Sequence, residues 1–92
     1  STSTIQCITT DKPYSIVHAN DKKFLDNKSL KEFETVLDPT FFLRVHRSSI
    51  VNATFVKELK SRNNGDYDAT LKNGQVIRLS RHFRNNWKQF IQ

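Results

Sequence analysis

His46 and Ser48 stand two residues apart in "FFLRVHRSSIVN", residues 41–52, and Asp66 and Asp68 follow in the same half of the chain. These are the residue types of a nucleophile, its base and an orienting carboxylate. The pattern around them does not suit that chemistry. A serine nucleophile of the elbow type sits on a tight, glycine-flanked turn. The two glycines of this chain, Gly65 and Gly74, both lie in hairpin-turn segments, "RNNGD" and "NG". The same shortage excludes a glycine-rich phosphate-cradling loop. Three scattered histidines and one cysteine give no metal-ligand spacing. The residues point to no enzyme, no cofactor and no metal.

Arginine offers a different chemistry. The chain carries a formal charge of +6, and its distribution is one-sided. Residues 1–40 hold five Lys against six acidic residues; residues 41–92 hold ten Lys or Arg against three acids, with all six arginines among them. Arg is a planar fork suited to phosphate and guanine, where Lys is a flexible point charge. A face of the second half is expected to meet a polyanion. Two clusters stand out: Arg44-Val45-His46-Arg47-Ser48-Ser49, and Arg78, Ser80, Arg81 and Arg84 in "IRLSRHFR".

The elements that must hold these clusters are short. Ninety-two residues bound a single domain over 1–92. "TIQCITT" and "YSIVHA" read as a hairpin across Asp11-Lys12-Pro13, "NDKK" as a turn and "FL" as a short strand. "NKSLKEFETVL" predicts a helix capped by Ser29, with Glu32 completing a capping box; Leu30, Phe33, Val36 and Leu37 share a face, and Asp38-Pro39 ends it. "TFVKELKS", "YDATLK" and "QVIRLS" are strands, the last two joined by Asn73-Gly74. "RHFRNNWKQFIQ" has helical spacing, with Phe83, Trp87, Phe90 and Ile91 apolar on one face and Arg81, Arg84 and Lys88 on another. Cys7 sits in a strand-like run and reads as a small core residue, with a reactive thiol the second choice; it has no internal disulfide partner. No run of 18 apolar residues spans a membrane, so no membrane contact is expected. No signal peptide opens the chain, and its start, "STST", suggests a piece of something longer.

On this frame the first cluster becomes a strand that turns. Leu43 and Val45 face one side, Arg44 and His46 the other, and Ile50 returns to the core. Arg47, Ser48 and Ser49 form a projecting corner with apolar anchors at both ends. His46 serves equally well as a phosphate contact or as a hydrogen-bonding fix for the corner. Asn52 is expected to satisfy backbone groups after the strand. The second cluster lies at a strand-to-helix junction, where Ser80 can cap the helix and free N–H groups with Arg78 and Arg81 favour a phosphate.

Taken together, "FFLRVHRSSIVN", the "NG" hairpin and "VIRLSRHF" resemble the LytTR DNA-binding domain family: aromatic, Arg, any, His-Arg-Ser, two residues, Val-Asn, then Asn-Gly and a Ser-Arg pair before a final helix. The likeness extends back to "IQCITTDKPYSIVH". Position 49 is Ser where the family usually has an aromatic, and a strand before Ile5 is missing, which implies an incomplete first sheet. The resemblance implies a mainly β fold with two short helices, an elongated stack of small, mostly antiparallel sheets. It implies sequence-specific binding of double-stranded DNA by a transcriptional regulator. Loops would read successive major grooves of direct repeats and bend the duplex, with two protomers as a homodimer on the DNA. It also implies an upstream receiver domain, as in response regulators of two-component systems, and a bacterial cytoplasmic location. Base-reading positions map to Lys12, Tyr14, Arg47 and Arg81. Phosphate contacts are expected from His46, Ser48, Ser49, Arg78, Ser80, Arg84 and Lys88. The competing reading is a protein-interaction module whose basic face meets an acidic partner.

Overall fold

A computed structural model describes residues 2–91; Ser1 and Gln92, the last residue of the expected final helix, lie outside the described residues. Among the described residues eight strands form two antiparallel sheets. The first holds β1 (Ile5–Asp11), β2 (Tyr14–Ala19), β3 (Lys22–Asp26), β4 (Phe42–His46) and β5 (Ser49–Asn52), in the order β3-β2-β1-β5-β4. The second is a meander of β6 (Val56–Ser61), β7 (Tyr67–Leu71) and β8 (Val76–Leu79). The domain is longer than it is wide, 34 × 24 × 22 Å.

The central strands of the first sheet bury both faces. Successive strand residues point to opposite sides, so Cys7 and Val51 enter one core and Ile8 and Ile50 the other. The larger core lies between the sheets: Cys7, Leu43, Val45 and Val51 meet Ala69, Leu71, Ile77, Leu79 and Trp87. The smaller is closed by helix α1 (Leu30–Val36) through Leu30 and Phe33. Cys7 is wholly enclosed, and burial pushes its thiol up to about 12, so it packs as an apolar residue and not as a nucleophile.

The capping box of α1 forms as its sequence dictates: Glu32 N–H donates to Ser29 Oγ at 3.1 Å, and Ser29 N–H donates to Glu32 Oε1 at 3.0 Å. The apolar face of this helix is narrower than expected. Val36 is 64% exposed, because the helix ends there and Leu37, in an extended conformation, turns into the core instead. Asn52 donates from Nδ2 to the Ile5 carbonyl and accepts Thr54 N–H on Oδ1, satisfying backbone on both sides of the chain as expected.

The last segment departs from one continuous helix. It is a 3-10 turn at Arg81–Phe83, a four-residue α-turn α2 (Arg84–Trp87), and a second 3-10 turn at Lys88–Ile91. His, Phe, Asn and Trp are weak helix formers, and Asn86 is held sideways by donating to the Arg44 carbonyl at 2.8 Å. The apolar face survives this break. Phe83, Trp87, Phe90 and Ile91 all reach the larger core, Trp87 fully buried and edge-on to Tyr67 at 5.5 Å.

Candidate nucleic-acid interface

The corner between β4 and β5 is a two-residue turn, Arg47-Ser48, made possible by an irregular register. Arg44 pairs with Ile50 but His46 pairs with Ser49, so Val45 is an extra residue on its strand. Such a bulge bends the strand and re-aims the residues beyond it. The Val45 carbonyl accepts Ser80 N–H at 2.7 Å, which brings the β8–Arg81 junction against the corner. On the other side the Ser48 carbonyl accepts Thr10 N–H at 3.1 Å, which brings the β1–β2 turn in. Three turns distant in sequence therefore share one rim.

Arg47 is its centre. It lines two open grooves: one of about 440 Å³ with Thr10, Lys12 and Ser48, the other of about 480 Å³ with His46, Asp66, Ser80, His82 and Phe83. Among the described residues its guanidinium enters no hydrogen bond or ion pair. Lys12 and Tyr14 flank the cis Lys12-Pro13 turn and are exposed, Tyr14 by 44%.

The corner itself is stiff. His46 Nδ1 accepts Ser48 N–H at 3.1 Å and lies 2.9 Å from Ser48 Oγ. Nδ1 must then be unprotonated, so the neutral ring carries its proton on Nε2. Burial first, then the nearby Arg47 and Arg78, hold the His46 pKa below the usual 6.5. Of its two expected roles, this geometry is the corner-fixing one. The pair is no nucleophile and base: Nδ1 already serves the backbone of Ser48, and the Asp66 carboxylate is engaged elsewhere.

Ser49 does not stand on the corner. It is 7% exposed, faces Thr9 across β1 and opens β5, so the phosphate contact expected of it has no surface to come from. The register explains this: the turn closes at Ser48, one residue earlier than the sequence suggests.

The junction also differs from expectation. Ser80 is 8% exposed, its Oγ accepts His82 N–H at 3.2 Å, and its carbonyl takes the Trp87 Nε1–H at 2.9 Å. Arg81 N–H goes to Asp66 Oδ1 at 2.8 Å, and Phe83 N–H goes to the Ser80 carbonyl at 2.9 Å. A carboxylate thus occupies the position foreseen for a phosphate, and the first N–H groups are spent. That backbone bond, with Arg81 and Arg78 nearby, holds the Asp66 carboxyl below the usual range. Arg78 is no free phosphate ligand either. It pairs with Asp68 at 3.3 Å and Asp66 at 3.7 Å, while Arg62 holds Asp68 at 2.8 Å. Arg81 remains exposed, with one Nη on the Asn64 carbonyl at 2.9 Å. Its stem lies against Gly65, at φ +96°, where a Cβ would come within 3.2 Å of Arg81 Cδ. Arg84 and Lys88 are exposed on the outer side of the last segment.

The sequence offers Asp66 only as a carboxylate for a catalysis it does not support and Arg44 only as a member of the first arginine cluster; neither they nor His82 are assigned a place in the interface there. Asp66 had a signal, being one of three acids in a strongly basic half. Arg44 had its outward strand position and its place in the first arginine cluster, neither of which points to a clamp on the corner. Each of its three nitrogens makes one bond inside the protein: Nε on the His46 carbonyl, Nη2 on the Arg47 carbonyl and Nη1 on Glu34.

Fold and rim define a β-rich module that presents cations from turns instead of from a long recognition helix. The chain belongs to the LytTr DNA-binding domain family, whose model matches residues 1–92. It is 32% identical over 84 residues to the transcriptional regulatory protein LytR of Staphylococcus aureus strain N315, covering 91% of this chain and 34% of that protein. It is 31% identical over 71 residues to the sensory transduction protein LytT of Bacillus subtilis, covering 77% of this chain and 30% of the relative. A solved LytTr DNA-binding domain from Bacillus cereus superposes with a TM-score of 0.89 at 24% identity, over 97% of this chain and 82% of that one. The likeness drawn from the two arginine motifs is thereby confirmed. The chain spans about a third of the length of the curated relatives it matches. Among the described residues no helix is long and apolar enough to cross a membrane.

Proposed function

We propose that this domain recognises a specific duplex DNA site as the output module of a bacterial transcriptional regulator. Arg47, Arg81, Lys12 and Tyr14 contact base edges, and Ser48, Arg84 and Lys88 contact phosphates. The observation that carries this reading is Arg47: an unpaired guanidinium at the meeting point of three turns, between two grooves. An Arg fork matches guanine O6 and N7 in the major groove. The spread of exposed cations from Lys12 to Lys88 suits a duplex tracked over more than one groove, which supports direct repeats, a bent duplex and two protomers side by side. The greater length of LytR and LytT supports a preceding receiver domain, and with it a cytoplasmic location.

The test is binding of the parent and Arg47→Ala to a duplex selected from a random pool and to a scrambled one. Arg47→Ala should lose about 1–3 kcal/mol on the selected site and little on the scrambled one. Equal weakening on both would make Arg47 an electrostatic contact only. A response unaffected by salt would favour a protein partner over DNA, since phosphate contacts release counterions.

A further inference from the structure

We infer that Arg44 is the positioning residue of the Arg47 corner and that Glu34 on α1 holds it in place; this rests on the reading of Arg47 as a base contact. Arg44 Nε donates to the His46 carbonyl at 2.8 Å, and Nη2 to the Arg47 carbonyl at 2.6 Å. These two carbonyls belong to the peptide planes on either side of the Arg47 Cα. Holding both planes fixes φ and ψ of Arg47, and so the direction in which its Cβ leaves the backbone. The third donor, Nη1, is tied to Glu34 Oε2 at 2.8 Å. Arg44 Cζ lies 5.6 Å from the centre of the Phe83 ring. Its side chain is only 16% exposed, against 41% for Glu34. With every nitrogen bonded inside the protein and the side chain largely buried, this guanidinium is poorly placed to read a base. Its work is geometric, and a reading group is effective only when held within roughly 0.5 Å and 10–20°. Lysine would keep the charge but cannot span three acceptors from one planar head.

The experiment uses the 92-residue chain in four forms: parent, Arg47→Ala, Arg44→Lys and the double variant. Each is titrated with the selected and the scrambled duplex at two salt concentrations. Arg44→Lys should lower the selected-to-scrambled affinity ratio roughly threefold to tenfold, the scale of a lost hydrogen bond or two. Its salt slope should match the parent's, since no phosphate contact is lost. In the Arg47→Ala background the same change should move the ratio by less than about twofold, because the group it positions is gone. Glu34→Gln should give a smaller loss in the same direction with melting unchanged, and it carries the test if Arg44→Lys does not fold. An unchanged ratio in Arg44→Lys, beside a reduced one in Arg47→Ala, overturns the inference and leaves the proposed function standing. Additive losses in the double variant overturn it too, by making Arg44 an independent contact. An unchanged ratio in Arg47→Ala removes the base-reading assignment itself.

Discussion

His46–Ser49 and Arg78–His82 are built from the same residue types, arginine, serine and histidine, and the fold uses them differently. At the first, the protein spends its hydrogen bonds on the backbone of the turn: Arg44 takes two carbonyls, and His46 takes the Ser48 N–H. The Arg47 side chain is left open. At the second, the side chains are spent as well. Asp66 and Asp68 engage Arg78, Asp66 takes the Arg81 N–H, and Arg81 itself leans on the 63–66 turn. Charge counted along a sequence therefore overstates the charge available to a polyanion. What decides availability is whether an acid arrives to pair with the cation. Among the described residues two acids pair with Arg78 and none with Arg47.

The sharpest way to break this comparison is to undock the junction. Trp87 is fully buried and donates to the Ser80 carbonyl. Trp87→Ala removes a core side chain and that donor together, at a cost of about 3–5 kcal/mol. In a domain of this size that should lower the melting temperature by more than about 10 °C or unfold it outright. A melt within a degree or two of the parent would show that the last segment does not hold the junction against the sheet.

A milder change tests whether acids mask the junction. Asp66→Asn keeps an acceptor for Arg81 N–H but removes the charge beside Arg78. Affinity for scrambled duplex should rise at low salt, with the salt slope steeper by roughly one. Asp66 also sets an acid-side stability limit. Its carboxyl titrates lower in the fold than in the unfolded chain, so its contribution is present above the ordinary carboxylate pKa near 3.8 and fades as pH falls through the lower folded value. Asp66→Asn should flatten that part of the stability curve, followed by thermal melts from about pH 5 downward.

Much of this fold is legible in the sequence, and the exceptions share a cause. The hairpins follow from period-two patterning and Asn73-Gly74, and α1 from its capping box, because those signals are local. The final helix follows only in part: its apolar face is legible from spacing, but its division into three short turns depends on Asn86 reaching β4. Val36 falls outside the expected face because spacing alone does not say where a helix stops. At the site, Arg47 is legible as the outermost residue of an anchored corner. Arg44 is not, since its clamp exists only because Val45 bulges, and a bulge is set by the partner strand. Ser49 escapes the sequence for the same reason: the turn length, and so the face each residue takes, is fixed by pairing with β5 and β1.

Arg84 sharpens the comparison from outside. It is exposed, one turn past the junction, and its side chain makes no hydrogen bond or ion pair among the described residues. Phosphate contacts position and base contacts specify. Arg84→Ala should weaken selected and scrambled duplexes by similar factors and lower the salt slope by about one. A loss confined to the selected site would move Arg84 into the base-reading set and extend that set along the last segment.

The smallest effect should come from His46, and it separates the corner from every other histidine of the chain. Its Nδ1 accepts from Ser48, so protonation would replace an acceptor with a donor and break the bond that closes the turn. The folded protein resists this: desolvation and the surrounding arginines put the pKa below 6.5. The unfolded chain therefore binds more protons between the folded value and 6.5, and stability falls as pH drops through that window. Specificity should fall with it, by roughly twofold for one hydrogen bond worth about 0.5 kcal/mol at a partly exposed corner. Affinity for scrambled duplex should rise over the same range, as added positive charge favours phosphates. His18 is also held below 6.5, by burial and then Lys23, so the pH profile needs its own control. His46→Asn places a carbonyl oxygen near the position of Nδ1 and cannot titrate. It should keep the parent's specificity at about pH 7.5 and lose the decline below about pH 6.5. If that variant retains the decline, the titrating group lies outside the corner. If specificity instead increases on acidification in the parent, His46 acts as a charged DNA contact and its part in closing the turn is secondary.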